Sequence, residues 1–151
     1  MAFTNRRLIA ILIVPFAVVL ATVVVATYVL PAVTLQVDQA TYHVGDTVRF
    51  SLHNGLKEPV YLACTAPWQI SREIDGTWHP VESHVCLAVI VAVAPGEARN
   101  WSWVSRTATD RPDFAPVEPG QYRIEMSVLT QCASPTQGCS TVHVTAFFRL
   151  Q

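Results

Sequence analysis

The chain has no C-x-x-C pair and no G-x-S-x-G elbow. Without a C-x-x-C pair the common zinc frameworks lack half of their ligand set. The second absence excludes the strained-serine nucleophile of many hydrolases. There is no basic stripe, which makes nucleic acid a poor partner. No block of like charge and no repeat at a fixed period occurs, so neither a charged tail nor a solenoid is expected. Charged residues make up only 14% of the sequence, and beyond residue 30 no stretch has a helical hydrophobic period. The ten prolines and six glycines are scattered as punctuation instead of gathering in a low-complexity tract. What remains is one long apolar run, four cysteines and a succession of short alternating segments.

The run from Leu8 to Leu30 holds 23 residues without a charge, with Arg6 and Arg7 before it and no further charge until Asp38. A helix needs about 20 apolar residues to cross the hydrocarbon core of a bilayer. The alternative is a cleaved signal peptide, with Val24-Val25-Ala26 as the cleavage site. The apolar region of such a peptide is normally only about 7–15 residues, so the length favours an uncleaved signal anchor. No cysteine lies near it, which removes lipoprotein processing. Positive flanks stay in the cytoplasm. The expected chain is therefore single-pass: a cytoplasmic end at 1–7, a transmembrane anchor at 8–30 and an extracellular or periplasmic domain at 33–151. That outer part has 119 residues, with 8 Lys+Arg against 11 Asp+Glu for a net charge of −3, and is one domain's worth.

Cys64, Cys86, Cys132 and Cys139 all fall on the outer side. An even number in an oxidising compartment favours two disulfides. Three pairings are possible. The turn-forming sequence ASPTQG between Cys132 and Cys139 favours closing that loop, leaving Cys64 and Cys86 to tie two neighbouring strands. A metal gathered by His79, His84 and Cys86 is the weaker reading.

Residues 33–38 alternate as a strand should, and a turn at 40–46 leads to 47–52, where Val48, Phe50 and Leu52 share one face. A loop at 53–59 leads to a strand at 60–64. Asp75-Gly76 between two extended runs predicts a two-residue hairpin turn, because both central positions need positive φ. Pro80 ends the second run or places it at a sheet edge. Residues 85–94 read VCLAVIVAVA, apolar on both faces. Valine and isoleucine favour a strand, and a strand of this kind needs cover on both faces. Either it is an inner strand shielded by a loop, or its outward residues Ala88, Ile90, Ala92 and Ala94 are covered by another protein. The strand expected at 98–105 puts Arg99, Trp101 and Trp103 on one side, as core in preference to a carbohydrate platform. Residues 106–119 form the longest loop, of a length that is often functional, and Arg111 and Phe114 within it are candidate contacts. Residues 120–128 point Tyr122, Ile124, Met126 and Val128 inward. The last strand, 141–150, gathers Val142, Val144, Ala146, Phe148 and Leu150 on one face.

Short strands punctuated by turns predict an all-β fold, an immunoglobulin-like antiparallel β-sandwich of about 7–8 strands preceded by one transmembrane helix. The frame Tyr42-x-x-Gly45-Asp46-x-Val48, Asn54, Asp75-Gly76-x-Trp78, Pro95-Gly96-Glu97 and Pro119-Gly120-x-Tyr122-Arg123 resembles bacterial immunoglobulin-like domains of exported and membrane-anchored proteins. The same order is similar to that of the Bacillus-type intracellular proteinase inhibitor family. The resemblance rests on turn residues over residues 40–130. It implies the fold, and a tyrosine-corner contact for Tyr122. It departs from antibody-type domains at Ile124, where those carry the second cysteine of an inter-sheet bridge.

Catalysis is not expected, nor is a cofactor. Glu73 with Asp75, and Asp110 with Asp113, sit in turns, where acidic residues are ordinary. The Asp110 stretch lacks the density of an EF-hand loop. Asn100-Trp101-Ser102 is a formal glycosylation sequon inside a strand. The residues point instead to a non-catalytic module: a membrane-anchored accessory subunit with protein partners at or in the membrane, and with no small-molecule ligand. The second reading is a secreted or anchored protease inhibitor that presents an exposed loop.

Overall fold

Ten β-strands are formed by residues 32–86, 89–106, 117–134 and 137–151, the parts of the chain that the computed structural model describes. They are β1 (Val33–Val37), β2 (Thr41–Tyr42), β3 (Thr47–Asn54), β4 (Val60–Leu62), β5 (Trp68–Ile74), β6 (Thr77–Ser83), β7 (Val91–Val93), β8 (Ala98–Val104), β9 (Gly120–Thr130) and β10 (Ser140–Leu150). Among the described residues there is no helix, and so none long and apolar enough to cross a membrane. The anchor expected at 8–30 lies outside the described residues.

The strands make two sheets. The smaller is antiparallel, in the order β1-β3-β8. The larger runs β2-β10-β9-β4-β7, and β5 joins the same edge of β9 and carries β6 outside it. β9 is long enough to serve two partners, β5 along Tyr122 to Met126 and β4 at Leu129. β2 adds to β10 in parallel at Arg149 and Leu150. The fold is all-β and sandwich-like. The alternation explains which faces meet: Val48, Phe50 and Leu52 from β3 and Tyr122, Ile124 and Val128 from β9 are all buried, because successive side chains of a strand point to opposite faces. Tyr42, Trp103, Tyr122 and Phe148 form an aromatic cluster in which Tyr122 stacks on Phe148 at 5.3 Å between ring centroids.

Polar locks hold the ends. Asn54 is fully buried. Its Nδ2 donates to the carbonyls of Glu58 (2.9 Å) and Val93 (3.0 Å), and its Oδ1 accepts from the Leu56 amide (3.0 Å). One amide thereby joins β3, the next loop and β7. Ser105 is buried too; its Oγ accepts from the Gly45 amide at 2.9 Å and donates to the Asp46 carbonyl at 3.0 Å. The Tyr122 hydroxyl accepts from the Glu118 amide (3.0 Å) and donates to the Glu118 carbonyl (2.6 Å). That is the tyrosine-corner contact implied by the frame. Asp75 and Gly76 both have positive φ, at 50° and 77°, as the hairpin turn requires.

Pro80 takes the second of its two expected places: β6 runs through it to Ser83 as an edge strand, paired among the described residues with β5 alone, where proline's missing amide costs no ladder bond on the open side. Three expectations differ from what forms. β3 continues to Asn54, so the loop expected at 53–59 starts later. Cys64 and Cys86 do bond, but β4 and β6 are not neighbours. The bridge joins the segment after β4 to the segment after β6. Lastly, the inner strand expected at 85–94 does not form. Among the described residues of that run only Val91–Val93 is strand, and it lies at a sheet edge.

Candidate functional site

The run at 85–94 carries the surface that most needs a functional explanation. β7 pairs with β4 through Val93 with Val60, Ala92 with Tyr61 and Val91 with Leu62. Val93 is fully buried, whereas Ala92 and Ala94 are exposed on the opposite face. Upstream, Val85 is 92% exposed, Val89 56% and Ile90 42%. A scattered exposed valine is ordinary, but contiguous exposed apolar residues mark contact surfaces. Cys64, Thr65, Ala66, His84, Val85 and Val89 line a shallow cavity of about 240 Å³ against the Cys64–Cys86 bridge. The disulfide thus holds the base of the apolar segment to the body of the domain.

Of the candidate interface residues, the structure brings Ile90, Ala92 and Ala94 together on this exposed edge. Ala88, Arg111 and Phe114 lie outside the described residues. The four cysteines form Cys64–Cys86 and Cys132–Cys139, the pairing that the loop sequence favoured. Cys86 is therefore unavailable to a metal. Among the described residues no three His, Cys, Asp or Glu side chains gather closely enough to hold one. His84 instead packs edge-on against Trp68, with centroids 4.2 Å apart. The Asp110–Asp113 stretch lies outside the described residues.

Trp101 and Trp103 are not a platform. Trp103 is buried, and Trp101 lies stacked on Phe50 at 6.0 Å, with its Nε1 donating to the Thr65 carbonyl at 2.7 Å. The exposed aromatics are elsewhere: Phe147, 61% exposed, stands 6.0 Å from Trp78, over which the Arg123 guanidinium sits at 4.5 Å. Their signal was present, since Phe147 occupies the outward parity of β10. Val85 and Val89 gave none, because by alternation they fall on the opposite parity from Ala88, Ile90, Ala92 and Ala94, the side read as outward. Asn100 of the sequon is exposed and lines an open cavity of about 560 Å³ on the smaller sheet, where polar Asp38, Arg49 and Ser51 alternate with apolar Val37, Phe50 and Trp101.

The titrating groups describe structure and not chemistry. Burial, and a hydrogen bond to the Asp38 carboxylate, push the Tyr42 hydroxyl up to about 12. Burial also raises Tyr122. Ser127 Oγ and His143 Nδ1 are 3.1 Å apart, but they are directly opposed residues on β9 and β10, both exposed. This is a cross-strand pair of the ordinary kind.

No family model and no curated protein matches the chain. Solved structures resemble it distantly. An alkylpurine DNA glycosylase, AlkC of Pseudomonas fluorescens bound to abasic-site DNA, is 15% identical with a TM-score of 0.41; the match covers 79% of this chain and 30% of that one. The ASH/PapD-like domain 7 of human CEP192 is 14% identical, with a TM-score of 0.37 over 80% of this chain and 87% of that one. The archaellum periplasmic stator protein FlaG from Sulfolobus acidocaldarius is 18% identical, with a TM-score of 0.38 over 78% of this chain and 100% of that one. At such scores none of them assigns an activity.

Proposed function

We propose that the chain is a non-catalytic interaction module, held at the outer face of a membrane by residues 8–30 and serving as an accessory subunit of a membrane or cell-envelope assembly. The observation that carries this is the uncharged apolar edge at Ile90, Ala92 and Ala94, exposed beside Val85 and Val89. Two disulfides favour an oxidising compartment. Only Pro31-Ala32 separates the apolar run from β1. The Gly55 amide donates to the Ala32 carbonyl at 3.0 Å, and a Cβ at Gly55 would meet that oxygen at 2.7 Å. A domain fastened so near its anchor reaches only partners at the membrane surface. An immunoglobulin-like topology fits the parallel β2–β10 pairing and the Tyr122 corner. The test is extraction of the full chain in mild detergent with mass spectrometry of what accompanies it. A stoichiometric companion or self-association is expected; a chain that always migrates alone contradicts the proposal.

A second reading, protease inhibition, is favoured by one feature: the loop closed by Cys132–Cys139, in which Ala133, Ser134, Gln137 and Gly138 are exposed. Protease activity that survives excess protein across a panel of enzymes ends that reading.

A further inference from the structure

We propose that the cavity between Trp68 and His143 binds a carboxylate, which accepts a hydrogen bond from the Trp68 indole. This goes beyond the interaction-module reading and does not depend on it.

The cavity follows from an interruption in the larger sheet. One edge of β9 pairs with β5 as far as Met126, opposite Trp68, and with β4 at Leu129, opposite Tyr61. Residues 63–67 leave the ladder between those points. The next strands break at the same level: β6 ends at Ser83, opposite Gln69, and β7 begins at Val91, opposite Leu62. The Cys64–Cys86 disulfide ties the two breaks together. Interruptions of a ladder are common beside active sites, where they re-aim side chains. A cavity of about 310 Å³ lies at this one, and Pro67 and Cys86, one from each break, both line it. Its size is at the lower end of the range for small-molecule sites.

One atom in the lining is out of place. Among the described residues, Arg72 Nε, Arg123 Nε and Trp68 Nε1 are buried side-chain nitrogens without a hydrogen-bond partner. Both arginines are held by ion pairs, Arg72 with Glu118 at 2.7 Å and Arg123 with Glu125 at 2.8 Å. Trp68 is uncharged and has no such substitute, although it is only 7% exposed. Buried donors are nearly always paired, so an orphaned one marks the place of an acceptor.

The rest of the lining selects the kind of acceptor. Ser127 Oγ and His143 Nδ1 are 3.1 Å apart. If the hydroxyl donates to Nδ1, the imidazole keeps its Nε2 proton; if Nδ1 donates, the hydroxyl keeps its own. Either tautomer leaves one donor over. Ser83 adds a hydroxyl and His84 an imidazole. Glu125 also lines the cavity, but Arg123 already neutralises it. A surplus of donors suits an acceptor with several lone pairs, and a carboxylate offers about four. Among the described residues neither lysine nor arginine lines the cavity, so nothing there offsets the second charge of a phosphate.

The experiment follows the indole protons of the four tryptophans by NMR of the full chain in detergent micelles. Trp68 is assigned through its ring contacts with Phe50 and His84. Acetate is titrated at fixed pH and ionic strength, with chloride and neutral acetamide as controls. A short peptide with a free C-terminus, and the same peptide amidated, separate a free acid from a carboxylate carried on a chain. The expected result is a saturating downfield shift of the Trp68 proton, larger than that of any other indole, and absent with chloride, acetamide and the amidated peptide. A response to acetate identifies a free acid as the ligand; a response to the free-ended peptide alone identifies a chain terminus. His143→Ala, at an exposed position, should raise the midpoint roughly tenfold, the weight of one hydrogen bond to a charged group. An equal shift from acetamide overturns the carboxylate. A midpoint unchanged by His143→Ala overturns the cavity as the site. A Trp68 proton that no addition moves is satisfied by the face of the His84 ring, and overturns the proposal.

Discussion

Residues 85–94 and β9 make an instructive pair. The first is all apolar apart from Cys86, yet among its described residues it yields a three-residue edge strand with Val85 almost wholly exposed. The second interleaves Gln121, Arg123, Glu125 and Ser127 with its apolar residues, yet it is eleven residues long and buries Tyr122, Ile124, Met126 and Val128. Burial follows from which strands a segment can pair with, and hydropathy alone does not decide it. β9 finds partners on both edges, and its polar parity tolerates solvent. Among the described residues the apolar run has one short strand partner, β4, and no polar side to offer water.

The contrast predicts a graded set of effects, measured as denaturation free energies of the full chain unless stated. Ile124→Ala removes a fully buried side chain and should cost about 2–5 kcal/mol; a loss below about 1 kcal/mol would show that β9 is not the core strand described. Replacing Cys64 and Cys86 together by serine opens a loop of sequence separation 22, at a cost of about 3 kcal/mol from chain entropy. The same change at Cys132 and Cys139, with separation 7, should cost about 2 kcal/mol. Only the first should also change the proteolytic accessibility of residues 85–94. Tyr122→Phe unlatches both backbone groups of Glu118 and should cost about 1 kcal/mol.

The Tyr42 prediction concerns pH. Its folded hydroxyl titrates near 12 against 10.0 for the ordinary group, so the folded chain keeps a proton that the unfolded chain releases. The associated stability is complete below pH 10 and is lost as pH rises through about 12. Tyr42→Phe should flatten the alkaline slope; an unchanged slope would place its origin elsewhere. The smallest effect belongs to the apolar run. Ile90→Ser should change stability by no more than about 0.5 kcal/mol, since Ile90 is already exposed. A loss comparable with that of Ile124→Ala would dissolve the distinction between the two regions.

Much of the fold was readable. The Asp75-Gly76 hairpin, the inward rows of β3 and β9 and the pairing of the cysteines each rest on local rules: positive φ at a turn, side-chain alternation, and a loop rich in turn formers. Val142 was expected inward with the rest of its row and is 40% exposed, whereas Val144, Ala146, Phe148 and Leu150 are buried. The site was less readable. Ile90, Ala92 and Ala94 were nameable as an outward face, but Val85 and Val89 were not. The Trp78–Phe147 pair arises only when β6 and β10 reach each other over Arg123.

By itself the sequence determined the strand-forming segments, the turns between them and the even cysteine set, because each depends on residues close together along the chain. Tertiary structure alone decided that one edge of β9 would serve both β5 and β4, that Asn54 would be buried as a link between β3 and β7, and that the strand of the 85–94 run would lie at an edge. Those outcomes depend on which strands lie side by side. Neighbourhood between segments tens of residues apart is settled by competition among pairings that local pattern does not rank.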